Sequence, residues 1–227
     1  ARWDHPVLGR VAPDDFIELA EQAGLIDQLT SRVLNRATMA AAGWHAAGHE
    51  LAVSVNISAQ SLLDERMHAI VAEALRSSGM NPALLVLEIT ESTMMTDERQ
   101  TPVILRQLAE LGIRVSVDDF GTGFSSLVNL RNLRVDEIKI DRSFVTQMTL
   151  EHDDDVIVRS TIELGHNLGL RVVAEGVETP ATLARLRELG CDIAQGYGIA
   201  RPLPPDRFER WLDGRAAAGT ITAIESD

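Results

Sequence analysis

Residues 113–119 read IRVSVDD, an apolar run rich in β-branched residues that ends on two adjacent aspartates. A short apolar run of this kind predicts a buried β-strand. Five further runs have the same form, and they lie at residues 51–57, 84–89, 136–140, 171–174 and 192–195. Segments with helical periodicity occur between or after these runs, at residues 62–77, 97–111, 125–132, 154–168 and 180–189. Strands that alternate with helices at short intervals predict an α/β fold with parallel strands.

Polar side chains lie at or just after the end of every predicted strand: Asn56, Glu88, Asp118 with Asp119, Lys139, Glu175 and Gln195. The carboxyl ends of the strands of a parallel barrel meet at one rim, whereas an open sheet gathers such residues at one crevice. Because all six strands contribute, the pattern favours a TIM-like barrel. The first 50 residues show only helical patterns. A closed eight-stranded barrel therefore needs two strands upstream of Ala1.

Four of these strand-end residues are acidic, which predicts a metal site. Crowded carboxylates repel one another and take up protons unless a cation lies among them. Their oxygens, with the amide oxygen of Asn56, are the hard ligands that suit Mg²⁺ or Mn²⁺. Taken singly, each acid is explained as well by a helix N-cap or an ion pair at the barrel rim as by a metal ligand. Together they favour a two-metal site of the type that activates water for phosphodiester hydrolysis.

Lys139 is the single lysine among 21 basic residues. An ammonium group is a compact point charge that arginine does not reproduce. At a strand end beside carboxylates, Lys139 would hold the attacking water and offset the charge that develops in the transition state.

Composition narrows the class of protein. The net charge of -13 argues against binding to DNA or RNA polymers, which requires clustered basic residues. The sequence has no apolar run of about 20 residues and no signal-peptide pattern, which predicts a cytoplasmic domain without membrane contact. The single cysteine, Cys191, is predicted to be a buried packing residue. We expect one domain over residues 1–213 and a tail over residues 214–227.

Six motifs together resemble the EAL-domain cyclic-di-GMP phosphodiesterases, and the resemblance extends over residues 1–211. They are SVNIS (54–58), LEITES (87–92), VDDFGTGFSSL (117–127), IKIDRSFV (138–145), VVAEGVET (172–179) and QGYGIARPLP (195–204). The resemblance implies a TIM-like barrel whose first strand is antiparallel to the others. It also implies hydrolysis of cyclic di-GMP to linear pGpG with Mg²⁺ or Mn²⁺, and it places the signature glutamate and the first strands before Ala1.

Roles for individual residues follow from the same resemblance. The metal ligands it implies are Asn56, Glu88, Asp118, Asp119 and Glu175. Lys139 and Gln195 resemble the residues that position the hydrolytic water, and Arg2 resembles an arginine that contacts a substrate phosphate. Glu91 resembles the anchor of the loop after Asp119, and Glu178 resembles a residue that supports the site. The resemblance also implies a homodimer. It implies a parent protein in which this domain is fused to regulatory domains, and such a parent is in some cases anchored to a membrane.

Three hypotheses about function remain open on the sequence. The first is an active phosphodiesterase, and the second is a catalytically inactive module that binds cyclic di-GMP. The third is an unrelated TIM-barrel metalloenzyme that acts on a phosphorylated metabolite. Every catalytic position that the resemblance places after Ala1 is occupied by the expected residue, which favours the first; the signature glutamate, a metal ligand in the family, is placed before Ala1.

Overall fold

The computed structural model describes residues 3–97, 99–123, 130 and 133–217. Its strands are β1 (Trp3–His5), β2 (Gly9–Val11), β3 (Val53–Asn56), β4 (Leu85–Thr90), β5 (Arg114–Phe120), β6 (Glu137–Ile140), β7 (Arg171–Ala174) and β8 (Ile193–Ala194). Its helices are α1 (Pro13–Gln22), α2 (Ile26–Ala46), α3 (Ala59–Leu62), α4 (Met67–Ser78), α5 (Glu91–Met94), α6 (Thr101–Glu110), α7 (Arg142–Gln147), α8 (His152–Asn167), α9 (Pro180–Glu188) and α10 (Pro205–Ala217). The predicted helix over residues 125–132 lies, except for Leu130, outside the described residues.

The chain divides into two compact units. The first comprises Ala1–Ile89 and Thr93–Arg114, and the second comprises Thr90–Ser92 and Val115–Asp227. The six strands predicted from the sequence are present as β3 to β8, and each strand begins and ends within three residues of the expected bounds.

The first unit contains a β-hairpin that the sequence patterns do not predict. Strands β1 and β2 pair in antiparallel fashion, with Trp3 opposite Val11. The ring Nδ1 of His5 accepts the backbone N–H groups of Val7 and Leu8 at 3.2 and 3.1 Å, which stabilises the turn. The expectation that the first 50 residues hold no strand is therefore wrong. Three-residue strands are too short to show the alternating pattern on which strand prediction depends.

The core of the first unit is formed by a parallel strand pair and by two helices packed together. Strands β3 and β4 are in register from Val53 opposite Leu85 to Asn56 opposite Glu88. Residues 85–89 of β4 are all buried, as expected for a parallel strand that is covered on both faces. Helices α2 and α4 pack against each other, and the Thr38 hydroxyl donates to the Ala74 carbonyl at 3.4 Å.

The second unit holds β5 to β8, which pair in parallel in the order of the chain. Helices α7 and α8 connect β6 to β7, and α9 connects β7 to β8. Helix α9 begins as the sequence predicts, because the Thr179 hydroxyl accepts the Thr182 N–H at 3.1 Å and Pro180 occupies the first turn. This succession of strand, helix and parallel strand is the repeating unit of a β/α barrel.

Two smaller expectations concern Cys191 and the membrane. Cys191 is completely buried in the second unit, which confirms its prediction as a packing residue. Among the described residues, none of the helices combines the length and the apolar character needed to span a bilayer. Helix α10 extends to Ala217 and so crosses the expected boundary after residue 213, which stays a prediction.

Candidate active site

Two adjacent aspartates at the end of β5 come together at one site because the strand carries a β-bulge. Val117 pairs with Ile138 and Phe120 pairs with Ile140, so Asp118 and Asp119 lie opposite the single residue Lys139. Neighbouring side chains of a regular strand point to opposite faces, and a bulge changes that direction. Asp119 has a φ of 56°, the one positive value found for a non-glycine residue in the described chain. A strained conformation of this kind at a strand end is typical of functional sites.

Glu175 follows β7 and completes an acidic cluster with the two aspartates. One carboxylate oxygen from each of Asp118, Asp119 and Glu175 lies within 4.8 Å of the other two. We call these three residues the acidic cluster. All three side chains are partly buried, so water screens their mutual repulsion less than it would at an open surface.

Lys139, on β6, is the cation of this site. Its Nζ lies 3.0 Å from Asp118 Oδ1 and 2.6 Å from Glu175 Oε1, and the residue is only 4% exposed. A buried ammonium group requires such partners, because desolvation without compensation is costly. The three acids and one lysine leave a net charge of about -2 when all are ionised.

The pKa of Asp119 lies above the ordinary value of an aspartate. Burial raises the pKa of Asp119 above its ordinary value, and the nearby negative charges of Asp118 and Asp141 raise it further. A divalent cation would relieve the repulsion that favours protonation. The donors are carboxylate oxygens, which are hard ligands, so the cluster could hold a metal ion of the Mg²⁺ type.

Asp141, one residue after β6, contributes to this electrostatic field and was missed by the sequence reasoning. Burial alone would raise the pKa of Asp141, but hydrogen bonds from the side chain and backbone of Ser143 lower it, so that Asp141 is negatively charged near Asp119. Its position next to a predicted strand end, in IKID, was the available signal. Asp141 is also the N-cap of α7, and this structural role by itself explains an aspartate at that position.

Glu91 contacts the glycine-containing loop that follows Asp119. The Gly121 N–H donates to Glu91 Oε2 at 3.1 Å, and Glu91 is 4% exposed. A Cβ atom on Gly123 would lie 2.6 Å from Glu91 Oε1, so the loop backbone lies directly against the carboxylate. The contact is compatible with the anchoring role expected for Glu91. Residues 124–129 of the same loop lie outside the described residues.

Asn56 and Glu88 form a separate pair in the first unit. They are register partners at the carboxyl ends of β3 and β4, and the Ile57 N–H donates to the Glu88 carbonyl at 2.8 Å. Glu88 is buried and Asn56 is exposed. The structure thus brings these two expected ligands next to each other within their unit.

The other expected site residues are less closely placed. Gln195 follows β8, and its side chain is exposed, as is that of Glu178. The backbone N–H of Gln195 donates to the Ala174 carbonyl at 2.8 Å, so the residue lies beside the strand that precedes Glu175. Arg2 lies outside the described residues.

These observations define a class of protein. Parallel strands of an α/β fold end on clustered carboxylates and a buried lysine, in an arrangement that can hold a divalent metal. The chain belongs to the EAL domain family, because the sequence model of the EAL domain matches residues 1–202. The predicted family and fold class, an α/β fold with the parallel strands of a TIM-like barrel, are therefore confirmed.

Individual relatives agree with this assignment. The chain is 46% identical to the cyclic di-GMP phosphodiesterase NbdA of Pseudomonas aeruginosa over 93% of its own length and 27% of that protein's. It is 42% identical to the bifunctional diguanylate cyclase/cyclic di-GMP phosphodiesterase MucR of the same organism, over 91% of the chain and 30% of MucR. The chain thus spans less than a third of these curated relatives. The structure of the PaMucR phosphodiesterase in its c-di-GMP complex superposes with a TM-score of 0.87 at 41% identity, covering 91% of this chain and 84% of that one.

Proposed function

We propose that this chain hydrolyses one phosphodiester bond of cyclic di-GMP to give linear pGpG, with Mg²⁺ or Mn²⁺ bound at the acidic cluster. The observation that carries the proposal is the convergence of Asp118, Asp119 and Glu175 around the ammonium group of Lys139. Two curated relatives at 46% and 42% identity are named as cyclic di-GMP phosphodiesterases, and a solved relative is a c-di-GMP complex.

The oxygen atoms of five side chains would hold the metal ions. Asp118, Asp119 and Glu175 are the proposed ligands in the second unit, and Asn56 with Glu88 are the proposed ligands in the first. Bound divalent ions supply a water-derived nucleophile at neutral pH and neutralise phosphate charge. Without them, a site with a net negative charge would repel a dinucleotide phosphate.

Lys139 and Gln195 are the proposed positioning groups for the attacking water. A metal ion held by Asp118 and Glu175 would share their negative charge, and the Lys139 ammonium would then donate to the water or to a phosphoryl oxygen. Attack of the water oxygen on phosphorus forms one P–O bond and breaks the bond to the 3′ oxygen. The water gives up one proton to solvent and the 3′ oxygen takes one from solvent, so it leaves as a hydroxyl. Donors that are already in place cost no reorganisation as charge develops.

The direct test measures the conversion of cyclic di-GMP to pGpG, with substrate and product separated by chromatography. The protein would be the chain extended upstream by the segment that the family resemblance places before Ala1, with Mg²⁺ or Mn²⁺ added. We expect turnover that is abolished by a metal chelator and by Asp118→Asn. Binding of cyclic di-GMP without turnover would identify a binding module instead, and failure to bind it at micromolar concentration would favour a different phosphorylated substrate.

Several finer properties of the chain are also proposals. We propose a cytoplasmic location and a homodimer, and we propose that the acidic cluster takes part in a two-metal site. Size-exclusion chromatography with light scattering measures the molecular mass of the protein, and a monomer mass would contradict the homodimer. A titration with Mn²⁺ measures the number of ions bound per chain, and a value of one would contradict the two-metal proposal.

A further inference from the structure

The loops that follow β7 and β8 are joined by their backbones. The Val177 N–H donates to the Gln195 carbonyl at 2.9 Å, and the Gly198 N–H donates to the Val177 carbonyl at 2.9 Å. The first of these loops begins with Glu175, and the second begins with Gln195. Two proposed active-site residues thus lie on segments that are linked through Val177, which is 1% exposed.

Two glycines allow these loops to approach each other. A Cβ atom on Gly196 would lie 2.2 Å from the Val177 carbonyl oxygen and 2.3 Å from the Val177 nitrogen. A Cβ atom on Gly198 would lie 2.7 Å from the Glu178 carbonyl oxygen. Neither glycine has a positive φ. Glycine is therefore required by the available space rather than by the backbone conformation.

A third glycine fixes the other side of the loop that carries Glu175. Gly176 has a φ of 70°, and a Cβ atom on it would lie 2.6 Å from Arg142 Cβ and 3.1 Å from Arg142 Cα. The Glu175 N–H donates to the Ile140 carbonyl at 3.1 Å on this same side. The loop after β7 is thus held between the start of α7 and the loop after β8.

We propose that Gly176, Gly196 and Gly198 are positioning residues for the reaction. They fix Glu175 and Gln195 relative to each other by permitting three successive loops to stack backbone against backbone. Catalytic groups must be held within about 0.5 Å of their productive positions, and support from loops alone is seldom that accurate. Most of the atoms that an added methyl group would meet belong to the backbone, so side-chain rotation cannot relieve the contact. The inference rests on the proposed function.

The two sides of the stack predict different kinetic effects. Gly196→Ala displaces the loop that begins with Gln195, because the loop after β7 is held on its other side by Arg142. We expect kcat to fall by about 100-fold, as for other misplacements of about 1 Å, with Mn²⁺ affinity nearly unchanged. Gly176→Ala displaces Glu175, and we expect Mn²⁺ affinity to fall by about 10-fold or more.

Two control variants separate positioning from stability and backbone strain. Gly165→Ala introduces a Cβ 2.5 Å from Val172 Cγ2 and 3.1 Å from Ile138 Cδ1, so it crowds the core of the same unit away from the loops. Gly190→Ala has the same kind of strain as Gly176→Ala, since its φ is 75°, but it meets no atom within 4 Å. Both controls should lower the unfolding temperature while keeping kcat and Mn²⁺ affinity.

The experiment measures kcat, KM, Mn²⁺ binding by electron paramagnetic resonance and the unfolding midpoint for each variant. Loss of kcat in Gly165→Ala equal to that in Gly196→Ala would overturn the inference, as would wild-type kcat in a folded Gly196→Ala. If Gly196→Ala does not fold, Gly198→Ala decides in its place, because its contact is less severe. If the wild type binds Mn²⁺ but does not hydrolyse cyclic di-GMP, the proposed function fails. The comparison of Gly176→Ala with Gly190→Ala in Mn²⁺ affinity still decides the positioning role of Gly176.

Discussion

Replacement of Lys139 by methionine separates the electrostatic role of this lysine from its role in packing. Methionine keeps the length and apolar stem of the side chain but removes the charge that faces Asp118 at 3.0 Å and Glu175 at 2.6 Å. Removing one partner of a fully buried ion pair costs about 3–5 kcal/mol. The two carboxylate side chains here are 14% and 19% exposed, so we expect a smaller loss, of about 2 kcal/mol, in metal-free protein.

Metal should reverse this loss of stability but not the loss of turnover. A ligand present at 100 times its Kd stabilises the folded state by about 2.7 kcal/mol, which is enough to offset the deficit. In Lys139→Met no ammonium group competes with Mn²⁺ for the two carboxylates. The increase in unfolding midpoint on adding Mn²⁺ should therefore be at least as large for this variant as for the wild type. Turnover of cyclic di-GMP at saturating Mn²⁺ should nevertheless be about 100- to 1000-fold lower, the usual cost of removing a donor to a developing charge.

The matched control is Arg171→Met. Arg171 pairs with Glu137 Oε1 at 2.7 Å on the same two strands, at their amino-terminal ends, and the Glu137 side chain is 5% exposed. The Arg171 side chain is 43% exposed, so this variant should lose less stability than Lys139→Met, and it should keep its kcat. The reasoning would be refuted if Lys139→Met kept a kcat near that of the wild type, or if Arg171→Met lost as much kcat as Lys139→Met.

Three further predictions concern the cluster, an ion pair and the thiol. Asp118→Asn should weaken Mn²⁺ binding, measured by calorimetry, by at least about 10-fold, and unchanged affinity would remove Asp118 from the ligand set. The Arg185 guanidinium donates a hydrogen bond to Asp155 and lowers the pKa of that carboxyl group below its ordinary value of 3.8. The pair therefore stabilises the fold above pH 3.8, and this contribution is lost as the pH falls through the lowered pKa. Asp155→Asn should therefore destabilise the protein at about pH 7, by roughly 0.5–1 kcal/mol in denaturant titrations, and the difference from the wild type should shrink as the pH falls below 3.8. Burial raises the pKa of Cys191 to about 12, so its thiol should react with a disulfide reagent only after denaturant is added, and rapid reaction of the native protein would contradict its burial.

The strands and the candidate ligands were predictable because both depend on local patterns. Buried parallel strands are mostly apolar runs, and β4 is buried over residues 85–89. Strand β6 is buried over its whole length as well, although Glu137 and Lys139 alternate with its two isoleucines. The rule that functional residues lie at carboxyl ends of parallel strands then selected Asp118, Lys139 and Glu175 before any contact was known. The hairpin of β1 and β2 was not predictable, because a three-residue strand has too few positions to show a period.

By itself, the sequence determined the α/β class, the succession of strands along the chain and the identity of the residues at their ends, since strand patterns repeat over a few residues. Only the tertiary structure decided how those residues meet. The bulge that turns Asp118 and Asp119 toward one site depends on the register between β5 and β6, whose residues are about 20 positions apart in the chain. The approach of Gly196 to Val177 likewise depends on the pairing of β7 with β8. Distances between strands are set by pairing and packing over the whole unit, and no local sequence pattern encodes them.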